Sequence, residues 1–233
     1  MNDFCYVGAE TLEIMAGAEK YNAYLERLVL KYIESGKSGN ITVLDIGAGI
    51  GTFAKKISTK GYQVHCIEPD LQQSEQIKEL GLLVDTSIEN IDNNSVDFIY
   101  SLNVLEHIEN DEEIFKVWTG KLKQDGSILI YVPAFNVLYS SFDKSVGHFR
   151  RYRKSRLIEI LKEAGLCIEE VRYADTIGFF VSLLYKWINK GNGKINKNSL
   201  KFYDKYLFPF NRLFDFLFSK YIGKNVFAVG KRI

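Results

Sequence analysis

Two stretches of the chain hold side chains whose types and spacing suit chemistry. The first is Asp45-Ile46-Gly47-Ala48-Gly49-Ile50-Gly51, with Glu68 following 17 residues after Gly51. Alternate glycines let the backbone turn sharply and admit a ligand with no Cβ in its way. The residues after Gly51 predict a helix, whose free N–H groups and positive dipole end favour a polar ligand. Asp45 can anchor an amine or the turn itself, and a carboxylate at Glu68 can accept both hydroxyls of a ribose. The second stretch runs from Asp143 to Tyr152 and gathers an acid, His148, Arg150, Arg151 and a phenol within ten residues. An imidazole beside an acid suits proton transfer, and guanidinium forks suit carboxylate or phosphate groups. The same groups can equally form a solvated approach to the next helix. His107, in Asn103-Val104-Leu105-Glu106-His107-Ile108, is either a further proton carrier or the group that orders a helix start.

The elements that must position these groups follow from periodicity. Strands are predicted at Thr42–Ile46, Gln63–Glu68, Leu82–Asp85, Val96–Ser101, Ser127–Val132, Cys167–Tyr173 and Val226–Lys231. Helices are predicted over 11–35, about 51–60, 71–80, 110–123 and 154–164, the first ended by Gly36–Asn40. Strands alternating with helices give a parallel sheet covered on both faces. The glycine loop then lies at a strand's carboxyl end, where open α/β sheets bind ligands.

The loop spacing is G-x-G-x-G with an acid two residues ahead, not the G-x-G-x-x-G of a pyrophosphate-binding turn. Val43–Gly51, Cys66-Ile67-Glu68-Pro69-Asp70, Asp97–Ile108 and Leu122–Pro133 together resemble class I S-adenosylmethionine (SAM) dependent methyltransferases, almost continuously over 40–135. That resemblance implies a Rossmann-like α/β fold with helices on both faces. Its seven-stranded, mostly parallel sheet has an antiparallel last strand wedged between strands five and six. It implies SAM as cofactor, S-adenosylhomocysteine as product and no metal. Asp45, Gly47 and Gly49 would face the methionine end, with Ala48 and Gly51 also binding the cofactor. Glu68 would hold the ribose with Ile67 and Pro69 beside it, Ser87 and Ile88 would edge the adenine, and Asn103 and Val104 would line the wall below the sulfonium. The connection after the fifth strand forms part of the acceptor site in this topology. It would carry His148 and Asp143 as catalytic groups with His107, and Arg150, Arg151 and Tyr152 as acceptor ligands. The Tyr21-Asn22-Ala23-Tyr24-Leu25 and Gly147–Tyr152 patterns are similar to a bacterial subgroup associated with surface polysaccharide or lipid-linked glycan assembly. There the N-terminal Tyr21 region would close over the cofactor.

Composition bounds the rest. The chain has 233 residues, a net charge of +1 and three cysteines, Cys5, Cys66 and Cys167, without disulfide or zinc spacing. A cytoplasmic location is the expectation. No apolar stretch approaches the roughly 20 residues of a spanning helix, and no apolar segment near Asp3 suggests a signal peptide. Residues 176–222, however, hold eight Lys/Arg against two acids and 13 of the chain's 32 aromatics. They predict two amphipathic helices separated by Gly191–Asn198, with Pro209 dividing the second. The expected organisation is one domain over 1–233: a lid (1–40), a cofactor core (41–175), a helical insertion between strands six and seven (176–222) and the last strand (223–233). The insertion could cap the site, form a homodimer contact, or lie peripherally on the inner face of a membrane. Nucleic acid is not an expected partner. The expected acceptor is a small molecule, a glycan or a lipid-linked intermediate. Two alternatives are a nicotinamide-dependent oxidoreductase and a catalytically silent scaffold.

Overall fold

The computed structural model describes residues 9–34, 41–188 and 197–233. The expected stop at Gly36–Asn40, Cys5, Lys190, Lys194 and most of the 191–198 break lie outside the described residues. In chain order the elements are α1 (Ala9–Ala16), α2 (Glu19–Glu34), β1 (Thr42–Ile46), α3 (Thr52–Ser58), β2 (Gln63–Ile67), α4 (Leu71–Glu79), β3 (Leu83–Asp85), β4 (Val96–Leu102) and α5 (Asp111–Gly120). They continue with β5 (Leu122–Pro133), α6 (Ser141–Ser145), α7 (Lys154–Glu163), β6 (Leu166–Ala174), α8 (Thr176–Ile188), α9 (Lys197–Phe202), α10 (Asn211–Phe218) and β7 (Asn225–Arg232).

The seven strands form one sheet in the order β3-β2-β1-β4-β5-β7-β6. β1 to β5 pair in parallel, and β7 runs antiparallel between β5 and β6. The predicted topology is therefore the observed one. Side chains alternate across each strand, so successive residues feed two separate cores. Leu44, Ile46, Ile99, Ile128 and Ile130 meet Phe115 and Trp118 of α5 and Leu157, Ile160 and Leu161 of α7. Val43, Phe98, Leu129, Tyr131 and Phe227 meet Leu25, Val29 and Ile33 of α2 and Ala54 and Ile57 of α3. Burial on both faces is why these strands read as near-continuous apolar runs.

Three expectations need correction. The helix over 11–35 is two helices. Gly17 and Ala18 break it, and Asn22 Nδ2 donates to the orphan carbonyls of Met15 (2.9 Å) and Ala16 (3.2 Å). β5 starts five residues early, at Leu122, which pairs with Val96; the register then shifts, and the polar Lys123–Gly126 stretch bulges out before Ser127 resumes the pairing opposite Phe98. The second insertion helix is four pieces: α9, a π-helical turn Tyr203–Leu207, a 3₁₀ turn Phe208–Phe210 and α10. Pro209, which has no N–H to donate, sits in that 3₁₀ turn.

Candidate active site

The strand order reverses between β1 and β4, so their carboxyl ends open a crevice. The glycine loop lines it. Gly47, Gly49 and Gly51 all have positive φ, at 73°, 57° and 75°. Space as well as φ demands glycine at 47, where a Cβ would lie 2.3 Å from a Val104 methyl. The cleft has a cavity volume of about 90 Å³ and is walled by Asp45, Gly47, Ala48 and Gly49 on the loop, with Leu12, Met15 and Asn22 opposite. Thr52, Phe53 and Leu102 complete the loop side. Leu12, Met15 and Ala16 read in the sequence only as one face of a helix. The signal for their role was the polar Asn22 inside an apolar stripe, which turns α1 across the cleft.

Two buried carboxylates bracket the loop. Asp45 sits opposite Cys66 and Tyr100 on the neighbouring strands. Burial pushes its carboxyl up to about 7, against the 2.6 Å bond from Tyr100 Oη, and the nearby Glu68 charge raises it further. Glu68 lies behind the loop. Its Oε2 accepts the Gly49 N–H (2.7 Å) and its Oε1 the Asp70 N–H (3.0 Å), leaving further lone pairs on both oxygens. Burial raises the Glu68 carboxyl too, and the two N–H bonds only partly offset it. Among the described residues no lysine or arginine lines the cleft, so its field favours a cation. Pro69 is exposed between Glu68 and Asp70, which caps α4. Ser87 Oγ accepts the Glu89 N–H and caps a 3₁₀ turn, and Ile88 is buried beside Ile67 in the core. Asn103 has a φ of 57° where β4 ends, and its N–H bonds the Tyr131 carbonyl at 2.7 Å.

The second stretch folds around Asp143. This buried carboxylate accepts the Ser140 N–H (2.8 Å), Arg151 Nε (2.7 Å) and His148 Nδ1 (2.9 Å). Burial pulls its pKa up, but the bonds from His148 and Arg151, the guanidinium charge and the Ser140 N–H outweigh it and hold it well below the usual range. With Nδ1 held by Asp143, His148 turns Nε2 toward Glu106, 3.9 Å away. Glu106 is fully buried, and neither carboxylate oxygen has a hydrogen-bond partner among the described residues. Burial pushes it up to about 8. The His107 ring stands edge-on to His148 at 4.6 Å, and burial, then the His148 charge, lower its pKa to about 4. Glu106, His107 and His148 bring ligand atoms within 4.8 Å of one another, close enough to pass a proton or hold a cation. Glu106 escaped the sequence reading because its weight depends on burial, which no spacing reveals.

Arg150, Arg151 and Tyr152, expected as acceptor ligands, are bonded to neighbouring residues of the protein. Arg151 is tied to Asp143 and the Ala134 carbonyl. Arg150 bonds Asp111 (2.8 Å) and the Glu109 carbonyl (2.6 Å). Tyr152 Oη reaches Asp111 (2.9 Å) and the Leu105 carbonyl (3.2 Å) inside the core. Tyr21 is also turned inward, its ring against Phe208 and Tyr131 and its N–H on Asp204.

A family model described as a methyltransferase domain matches residues 17–171. Phosphoethanolamine N-methyltransferase 2 of Caenorhabditis elegans is 28% identical over 137 residues, 53% of this chain but only 31% of the nematode enzyme. Ubiquinone biosynthesis O-methyltransferase of Rickettsia typhi is 23% identical over 169 residues, 64% of this chain and 68% of that protein. A SAM dependent methyltransferase from Archaeoglobus fulgidus superposes with a TM-score of 0.60 at 15% identity, covering 91% of this chain and 94% of the other. Phosphoethanolamine N-methyltransferase 2 of Haemonchus contortus, solved with S-adenosyl-L-methionine, superposes at 0.59 and 20% identity, covering 90% of this chain and 52% of that one. These structural likenesses are likenesses of fold. With two thirds of its length matched by the family model, its strand order and its glycine loop, the chain belongs to the methyltransferase-domain family, in the class I SAM-dependent fold.

Proposed function

We propose that the protein transfers a methyl group from SAM to an oxygen or nitrogen nucleophile and releases S-adenosylhomocysteine. The observation that carries this reading is the pair of buried carboxylates, Asp45 in the cleft wall and Glu68 behind the glycine loop, about a cleft with no cationic side chain in its wall among the described residues. A pyrophosphate would meet repulsion there, which disfavours a nicotinamide dinucleotide. A molecule carrying ammonium and sulfonium charge is complementary to it. Bound in the cleft, SAM supplies an electrophilic methyl group. Asp45 would hold the ammonium, and Glu68 the ribose hydroxyls through its remaining lone pairs. Gly47, Ala48 and Gly49 would let the ligand approach the backbone, while Leu12 and Met15 exclude water from above. We assign residues 1–40 as the lid, 41–175 as the core, 176–222 as the insertion and 223–233 as the last strand.

His148 would take the acceptor's proton at Nε2, with Asp143 fixing the ring through Nδ1 and stabilising the imidazolium. Glu106, 3.9 Å from Nε2, and the His107 ring would set the polarity around that nitrogen. Relatives that methylate phosphoethanolamine and a ubiquinone precursor, as their names state, make nitrogen and oxygen acceptors both reasonable. We favour a glycan or lipid-linked acceptor, handled in the cytoplasm. Incubating the protein with methyl-labelled SAM and a fractionated extract tests this. Label in the lipid phase supports a lipid-linked acceptor, and label confined to the aqueous phase rejects it. No label in either phase, with SAM bound, would favour a silent scaffold.

A further inference from the structure

The outer face of the insertion departs from ordinary globular burial. On α8, Phe180, Leu183, Leu184 and Trp187 recur at three- and four-residue spacing and all are exposed, Trp187 at 81%. Along α10 and its flanks, Phe210, Leu213, Leu217 and Tyr221 do the same, and Phe216 is 79% exposed. α8 and α10 pack on each other, so both stripes belong to one structural unit. Exposed apolar surface concentrated in this way marks an interaction site.

Charge selects the partner. The segment's two acids both face inward: Asp204 accepts the Lys20 and Tyr21 N–H groups, and Asp215 those of Asp175 and Thr176. Lys197, Lys201, Lys205, Arg212 and Lys220 are exposed. A second copy placed two-fold on this face would set like charges against like. An RNA would pair the cations but leave Leu183, Leu184, Leu213 and Leu217 uncovered. No described helix is long and apolar enough to cross a membrane, so a lipid contact would be interfacial. We propose that the α8–α10 face docks on an anionic lipid bilayer, its aromatic and aliphatic side chains entering the headgroup boundary and its cations meeting lipid phosphates. This docking is separable from methyl transfer, because neither stripe lines the cofactor cleft.

Co-sedimentation with vesicles of equal parts phosphatidylglycerol and phosphatidylcholine, against phosphatidylcholine alone, tests the proposal. Tryptophan emission adds an internal reporter, since Trp118 is already buried and a blue shift reports Trp187. The expected result is salt-sensitive binding to the anionic vesicles with a blue shift. The triple change Lys201→Gln, Arg212→Gln, Lys220→Gln should lower partitioning by about a hundredfold. The pair Trp187→Ser, Phe216→Ser should lower it by at least about tenfold. SAM affinity and the melting temperature of both variants serve as the folding control. No binding to anionic vesicles, equal binding to neutral ones, or a doubled mass in light scattering with Trp187 shielded in the absence of lipid would each overturn the proposal.

Discussion

The cofactor cleft and the α8–α10 face are opposites in the way they handle charge. About the glycine loop, the acids Asp45 and Glu68 are buried and carry raised pKa values, with no cation in the cleft wall among the described residues. On the insertion, the acids are bonded inward while cations and large apolar side chains face outward. Each region departs from the general rule that charge is solvated and apolar surface covered. Each departure describes a ligand by what the protein leaves undone: a cation in the first region, an anionic and oily surface in the second. The two regions also touch. Asp204 of the insertion holds the backbone N–H groups of Lys20 and Tyr21 at the start of α2, and Lys20 Nζ returns a bond to the Lys205 carbonyl.

The comparison can be broken most sharply at the proton-accepting end of the site. His148→Ala should lower kcat by about 10²- to 10⁴-fold while leaving SAM affinity unchanged, measured in single turnovers on the labelled acceptor fraction. An unchanged kcat would reduce the Asp143–His148 pair to a loop brace. The next effect is on pH. The Asp45 carboxyl, near 7 in the free protein, must ionise to hold a cation. SAM affinity should therefore rise with pH up to about 7 and level off above it, with a slope of up to about tenfold per pH unit. For folding the sign is reversed. Folded Asp45 keeps a proton that the unfolded chain has released, so its contribution to stability is lost as pH rises through the window from 3.8 to about 7. Thermal melts of the ligand-free protein across that window check this. The smallest effect is at the joint between the regions. Asp204→Asn should weaken the two N–H bonds to the lid and raise the SAM off-rate severalfold, read by stopped-flow. No change there would make lid and insertion energetically independent.

Much of this was legible in the sequence because parallel strands buried on both faces leave unbroken apolar runs. Thr42–Ile46 reads as a strand for that reason, and the G-x-G-x-G turn after it could be located from spacing alone. What stayed hidden depended on tertiary pairing. Gly17 sits inside a good helical period, and only the Asn22 side chain, reaching back to the α1 carbonyls, turns that residue into a break. The polar start of β5 lacks any alternation, and only Leu122, paired with Val96 ahead of a bulge, carries the strand back to that point. Arg150, Arg151 and Tyr152 look like acceptor ligands in a list of residue types. Their partners, Asp143 within the same stretch and Asp111 and the Ala134 carbonyl from outside it, draw them into the scaffold. Glu106, the buried acid whose carboxylate oxygens find no hydrogen-bond partner among the described residues, gave no sign at all beside His107.

Calorimetric titration of SAM and of NAD into the protein, alongside the Asp45→Asn variant, tests the central claim most directly. The account predicts that SAM binds, that NAD does not, and that Asp45→Asn weakens SAM by about ten- to a hundredfold, the cost of losing a charged hydrogen-bond partner. NAD binding, or SAM binding equally well to Asp45→Asn, would contradict it.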